Sequence, residues 1–280
     1  MMRPRLLTVH ATAVLVVLGS GIGAAVVGVG PSAVVLAGPQ ALRLIRAAPA
    51  ALSSFPALDL AFEFKVSGNG QTATIHESAL STPDGMTGSF TIELPNDGGK
   101  MVAKSVDGTL YAPVPDGQFP ATEGKHWLAL KLTGGHRQPG GLGAPTGGDA
   151  LAYLRLLPGA TGEVRDYGTE EIDGVQTRHY QVTVDLLRAV RNIPPQLRTA
   201  SVSTLRAAGL TTLPYDVWLD GDNAVRRVAS QFSLRGVDLS MRIDISGSER
   251  VVHEQAPDVT DTYDVTDISE FTQLALGSCC

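Results

Sequence analysis

Cysteine is almost missing from this 280-residue chain: only Cys279 and Cys280 occur, side by side at the end. Adjacent cysteines bridge each other only under strain, so neither a disulfide framework nor a cysteine metal cluster is available. A double-cysteine end is also a prenylation pattern, but that signal is read in the eukaryotic cytosol, and the opposite end of this chain looks like an export segment. The histidines His10, His76, His126, His136, His179 and His253 show no H-x-x-x-H or H-x-H spacing, so no metal site is expected. Runs of positive charge are lacking too. Net charge is −6 and the pI is near 5.5, which argues against a duplex nucleic-acid binder. The lysines (Lys65, Lys100, Lys104, Lys125, Lys131) and the arginines are scattered, so no basic patch would recruit anionic headgroups. No nucleophile elbow, phosphate loop or dinucleotide glycine pattern occurs, so no cofactor and no catalytic residue is expected. A hydrolase would need a Ser/His/acid cluster assembled from distant segments. Aromatic residues make up 5%, which leaves the core to aliphatic side chains.

What is present points to one sizeable domain, since 43% of residues are hydrophobic and 18% charged. Before it, Arg3 and Arg5 precede an uncharged stretch, 6–29, about 24 residues long. That exceeds the roughly 7–15 residues of a signal-peptide core and reaches the roughly 20 of a bilayer-spanning helix. Gly19, Gly21, Gly23 and Gly28 weaken such a helix, and Val35-Leu36-Ala37 before Gly38 offers a small-residue cleavage site. Residues 1–37 are therefore read as an uncleaved anchor or a cleaved signal. Both send the remainder across the membrane. The domain is expected over 38–276, with 277–280 as a tail.

Within it, apolar and polar residues alternate at the period of a sheet with one buried face. Leu58, Leu60, Phe62, Phe64 and Val66 interleave with Asp59, Ala61, Glu63 and Lys65; Phe90, Ile92 and Leu94 interleave with Thr91 and Glu93. Leu128, Leu130 and Leu132 share a face opposite Trp127, and Val237, Leu239, Met241, Ile243 and Ile245 form the last clear strand. Asn69-Gly70, Asp107-Gly108 and Asp173-Gly174 are short-hairpin turns, because Asn, Asp and Gly tolerate positive φ. Helices are expected at 40–54, kinked or split at Pro49, at 150–157, at 195–208 and at 268–276. The segment 133–149 holds seven glycines and two prolines and reads as a mobile loop. Asp258, Asp261, Asp264 and Asp267 recur every three residues, but lack the glycine and closing glutamate of a calcium loop, so they read as a solvated acidic strand or extended segment.

The densest pattern lies at 168–186, GTEEIDGVQTRHYQVTVDL, followed by LPYDVWLDGDNAVRRV at 213–228 with its turn at Asp220-Gly221-Asp222-Asn223. In the first, Tyr180, Val182 and Val184 fall on one face. The two motifs resemble the LppX/LprA/LprF/LprG lipoproteins of actinobacterial cell envelopes, over roughly residues 40 to 270. The resemblance implies an α+β fold: a strongly curved antiparallel half-barrel with helices covering its concave face, as in LolA and LppX. It also implies a cell-envelope carrier that holds acylated lipids or glycolipids in a hydrophobic cavity, with an envelope transport protein as partner. The chain departs from that family in one respect: the anchor cysteine that follows the hydrophobic segment of bacterial lipoproteins is lacking. Attachment to the membrane, facing the periplasm or cell wall, would then fall to the N-terminal helix, and a cleaved chain would be secreted.

The residues expected to face the cavity are Leu58, Leu60, Phe62, Phe64, Phe90, Ile92, Leu94, Tyr180, Val182 and Val184, under a cover made by 195–208 and 133–149. A rival reading keeps the same half-barrel with a filled core, as an extracytoplasmic sensor or protein-interaction domain.

Overall fold

The structure is a computed structural model that describes residues 35–93, 99–115, 122, 124–131, 150–192, 202, 205–206, 209–266 and 268–275. Thirteen strands form one sheet, in the order β1-β8-β9-β10-β11-β12-β2-β3-β4-β5-β6-β7-β13. The order divides into two meanders. One comprises β2 (Ala57–Gly68), β3 (Gln71–Ser81), β4 (Gly88–Glu93), β5 (Lys100–Val106), β6 (Thr109–Pro113) and β7 (Trp127–Lys131). The other comprises β8 (Ala160–Ile172), β9 (Val175–Asp185), β10 (Thr212–Leu219), β11 (Val225–Leu234) and β12 (Val237–Ser248). They join along β12 and β2, which pair antiparallel from Asp238–Ser67 to Ser248–Ala57. β1 (Val35–Ala37) closes one edge against β8, and β13 (Thr262–Val265) closes the other, parallel to β7. The result is a curved, unclosed, antiparallel-rich sheet with helices packed on one face, the kind of architecture expected from the sequence.

The turns follow from sequence. At Asn69-Gly70, Asp107-Gly108 and Asp173-Gly174 both residues have positive φ, between 49° and 79°. The flanking pairs close two-residue hairpins whose twist matches the strands. Arg235-Gly236 does the same at φ 53° and 80° between β11 and β12, a turn that sequence reading missed because Arg is not a left-handed-region residue by habit. The β10–β11 turn is a knot around one carboxylate. Asp220 accepts from the N–H groups of Asp222 and Ala224 at 2.9 Å each and from Arg226 Nε at 2.7 Å.

Helix α1 (Pro39–Ala51) starts at Gly38, carries Pro at its first position, and runs through Pro49 into a 3-10 turn at Leu52–Ser54. A proline in a helix interior removes a hydrogen bond; here it falls in the last turn, where the loss is smallest, so the helix tightens rather than splits. α1 buries Ala41, Ile45 and Ala48 and packs across β8, β10 and β11. Arg46 Nε ties it to the Ala160 carbonyl at 2.8 Å. α2 (Ala150–Leu154) and α3 (Leu186–Ala189, capped by Asp185 accepting from Arg188 N–H at 2.9 Å) are short. α4 (Ile268–Ala275) packs on β7, and its Phe271, Leu274 and Ala275 join the core with Val265.

Two segments are more definite in the structure than in the sequence. Val35–Ala37, which offered a small-residue cleavage site, pairs as an edge strand with Val164–Asp166. The acidic repeat is not merely solvated. Asp258 accepts from Thr260 N–H at 2.8 Å, Asp261 accepts from His126 N–H at 3.1 Å and meets His126 Nδ1 at 2.7 Å, and Asp264 lies within β13. The anchor-or-signal stretch 6–29, the Gly-rich loop 133–149 and most of 195–208 lie outside the described residues; Val202, Leu205 and Arg206 of the last are helical.

Candidate functional site

Residues opposite one another in an antiparallel sheet share a face, so register separates the two faces. One row crosses nine strands: Asp166, Tyr180, Val217, Val228, Ile243, Phe62, Glu77, Ile92 and Met101. It is apolar except for the two acids. The adjacent row, on the opposite face, reads Arg165, Gln181, Asp216, Ala229, Arg242, Glu63, His76, Glu93 and Lys100. It is polar except for one alanine. The apolar face is the one that α1, α2 and α4 help to bury.

That inner face collects most of the residues singled out from sequence. Leu58, Leu60, Phe62, Phe90, Tyr180, Val182 and Val184 are buried in one cluster, and Ile92 is buried beside Met101. Phe64 packs against the cluster but is only half-buried. Leu94 lies outside the described residues. Sequence reading did not nominate Tyr215, Ile243, Val217 and Val228, which are wholly buried on the same face. The alternation in LPYDVWL pointed to the first and third of these.

Burial is uneven along the strands. Beyond Phe62 the inner face continues through Phe64 and Ile75, then Val66, Ala73, Leu239 and Phe232, paired across four strands and all partly exposed. They form an apolar lip at the turn ends of β2, β3, β11 and β12. Tyr153 of α2 roofs the face just behind the lip, stacked on Phe62 with ring centres 5.8 Å apart.

The inner face has a polar end at β8 and β9. Asp166 accepts from Arg178 Nη2 at 2.6 Å and Nε at 2.9 Å and from Gly168 N–H at 2.9 Å. Burial pushes the Asp166 carboxyl up, but the Arg178 and Gly168 hydrogen bonds and the charges of Arg178 and His179 together hold it below the usual carboxylate range. The Arg178 guanidinium also lies 5.9 Å from the Tyr180 ring centre.

The outer face of the same two motifs is a brace. Tyr167, His179 and Trp218 stack at 4.7 and 4.1 Å between ring centres, and Arg227 lies 5.8 Å from Trp218. Trp218 Nε1 donates to Glu170 at 2.8 Å, and His179 Nε2 meets Asp216 at 2.9 Å. This satisfies every ring nitrogen of the stack or places it beside a carboxylate, so His179 holds strands together. Trp127 is also on the outer face, under the Lys104 ammonium at 4.8 Å. Neither tryptophan lines the concave side. A shallow cleft of about 380 Å³ also opens on the outer face, among Glu63, His76, Glu93, Arg242 and Asp244; of the nominated residues only Phe62 borders it.

The class defined by this geometry is an open, curved sheet with an oily inner face partly roofed by helices. No known protein-family profile matches the chain. An uncharacterized 31.2 kDa protein from the rplA-rplJ intergenic region of Streptomyces griseus is 24% identical over 226 residues, covering 71% of this chain and 73% of that protein. Among solved structures, the chain is similar to the lipoprotein LppX of Mycobacterium tuberculosis, at 17% identity and a TM-score of 0.46 over 78% of this chain and 100% of that one. It is also similar to LprF of Mycobacterium bovis, at 12% identity and a TM-score of 0.45 over 79% and 100%. A LolA superfamily protein of Nitrosomonas europaea gives 9% identity and a TM-score of 0.33 over 79% and 96%. LppX and LprF are members of the group that the two sequence motifs resemble.

Proposed function

We propose that this protein is an exported lipid-binding carrier of the cell envelope, without catalytic activity, that takes the acyl chains of a lipid or glycolipid against its concave face. The observation that carries the reading is the apolar lip. Phe64, Val66, Ile75, Phe232 and Leu239 remain partly exposed where the inner face leaves its helical roof, directly continuous with the buried row behind them. A contiguous apolar surface left partly open to solvent is the kind of face on which a ligand or partner docks. Each methylene transferred from water onto such a face contributes about 0.8 kcal/mol, so a long chain binds without any reactive group. The resemblance of the 168–186 and 213–228 motifs to the LppX group supports the same reading. Leu58, Leu60, Phe62, Phe64, Phe90, Ile92, Leu94, Tyr180, Val182 and Val184 would face the ligand, and residues 1–37 would direct export and hold the uncleaved form on the membrane.

Mass spectrometry of the protein purified from its native membrane without detergent exchange tests this; a co-purifying lipid is expected, and a bare chain would count heavily against it. A second test uses Phe64→Asp with Leu239→Asp. Uptake of N-phenyl-1-naphthylamine, a neutral apolar dye, should fall about tenfold while circular dichroism is unchanged, since a carboxylate on an apolar face carries a large desolvation cost. The rival reading, an interaction domain with a filled core, is favoured by the complete burial of Leu58, Val184, Tyr215 and Ile243. Under it, the same variant leaves dye uptake as it was.

A further inference from the structure

Among the described residues Tyr215 is the largest wholly buried side chain, and its hydroxyl is the one buried side-chain polar atom with no hydrogen-bond partner. An orphaned buried hydroxyl is costly, of the order of the desolvation of the group, and asks for an explanation. Phenylalanine would fill the same space without that cost. Ser230, across the sheet from it, does not serve it: Ser230 Oγ donates to the Pro214 carbonyl at 2.6 Å. Burial, with Tyr153 nearby, holds the Tyr215 phenol well above the ordinary tyrosine range, so it stays a protonated donor at any physiological pH.

Its place in the sheet gives the explanation. Tyr215 alternates with Leu213 and Val217 on the inner face, opposite Val182. The pairing of Asp216 with Ala229 sets Tyr215 across from Ser230, Ser230 pairs with Met241, Met241 with Phe64, and Phe64 with Ile75. One row of the inner face therefore joins Phe64, partly exposed at the lip, to Tyr215 through the buried Met241 and Ser230. At a strand spacing of about 4.8 Å, the three steps from Phe64 to Tyr215 span about 14 Å. Tyr153 of α2, stacked on Phe62, belongs to the same buried cluster as Tyr215.

We propose that the Tyr215 hydroxyl is the polar anchor of the lipid site: it donates a hydrogen bond to an ester carbonyl of an acylated lipid entering along the row from the lip. This rests on the carrier reading and adds the ligand class, ester-linked rather than purely hydrocarbon or ether-linked chains. Val182, Val217 and Met241 would supply unspecific apolar contact, and Tyr215 the single directional one.

The experiment measures displacement of N-phenyl-1-naphthylamine from the wild type and from Tyr215→Phe. The competitors are dioleoyl phosphatidylglycerol and its diether analogue, which lacks both carbonyls. The wild type should prefer the diester, and Y215F should lose about 3- to 10-fold in affinity for the diester and nothing for the diether, as for one neutral hydrogen bond. Without lipid, Y215F should melt at the same temperature as the wild type or higher, which shows that the loss is not misfolding. Equal affinity of both proteins for the diester, or equal loss for both lipids, overturns the proposal and leaves the hydroxyl served by a buried water only, with the carrier reading intact. If neither lipid displaces dye from the wild type, the carrier reading itself fails.

Discussion

The inner face has two halves that differ in what covers them. Under and around α1 the face of β9, β10 and β11 is sealed: Val184, Tyr215, Val217 and Val228 are at 0% exposure, as is Ile45 of the helix itself. Toward the turn ends of β2, β3, β11 and β12 the same alternation continues, yet Phe64, Val66, Ile75, Phe232 and Leu239 are partly open to solvent. The sequence pattern is identical in kind in both halves. What differs is the roof: a 13-residue helix with three core side chains lies over the first, while over the second the described roof is α2, five residues long. A sheet of this width presents more apolar surface than the described helices cover, and the surplus stays partly open to solvent.

Truncations should separate the halves. Ile45→Ala, or Ile243→Ala beside it in the core, should cost about 2–5 kcal/mol in urea unfolding, as lost contact plus an unfilled cavity. Ile75→Ala in the lip should cost about 1 kcal/mol or less, because water already reaches the site. Equal losses would mean that the lip is as tightly packed as the core and would abolish the distinction.

Next in size is the turn that bounds the sealed half. Asp220→Ala removes the acceptor of three hydrogen bonds and strands the Arg226 guanidinium, whose side chain is 20% exposed. A loss of about 2–3 kcal/mol is expected at pH 7 by chemical denaturation.

A smaller effect is confined to acid. The Asp166 carboxyl titrates below its unfolded value of about 3.9, so its contribution to stability is complete above that pH and is lost as pH falls through the folded value. Asp166→Asn should therefore be less stable than the wild type at neutral pH, and the gap in melting temperature should close below about pH 4. A gap independent of pH would mean that Arg178 does not act through the carboxylate charge. Smallest of all is the outer face. Lys100→Ala removes the exposed ion pair to Glu93, 2.5 Å long, and should leave the melting temperature unchanged within error, since solvent screens such pairs.

Much of the sheet was legible in the chain. Leu58 to Phe62 alternate because their strand has a dry side and a wet side, and Asn69-Gly70, Asp107-Gly108 and Asp173-Gly174 mark turns because few other residues enter the left-handed region without strain. The hairpin at Arg235-Gly236 was not legible, since its Arg adopts φ 53° only because the two strands on either side demand it. The edge strands β1 and β13 were too short, at three and four residues, for a period to show. Of the inner face, the motif strands declared Tyr180 and Val182. Tyr215 stood in the same kind of alternation, but nothing local distinguishes a phenol that finds a partner from one that does not.

The sequence by itself determined which side chains alternate inward, where the hairpins marked by Asn-Gly and Asp-Gly turn and that it carries no metal or nucleophile motif, because each depends on residues close together along the chain. Only the tertiary structure decided that β12 lies against β2, joining two meanders into one open sheet, that α1 roofs one half and leaves a lip on the other, and that Tyr215 is buried without a partner. Those outcomes depend on long-range packing, in which the area of sheet to be covered is set against the helices available to cover it, and no local pattern encodes that balance.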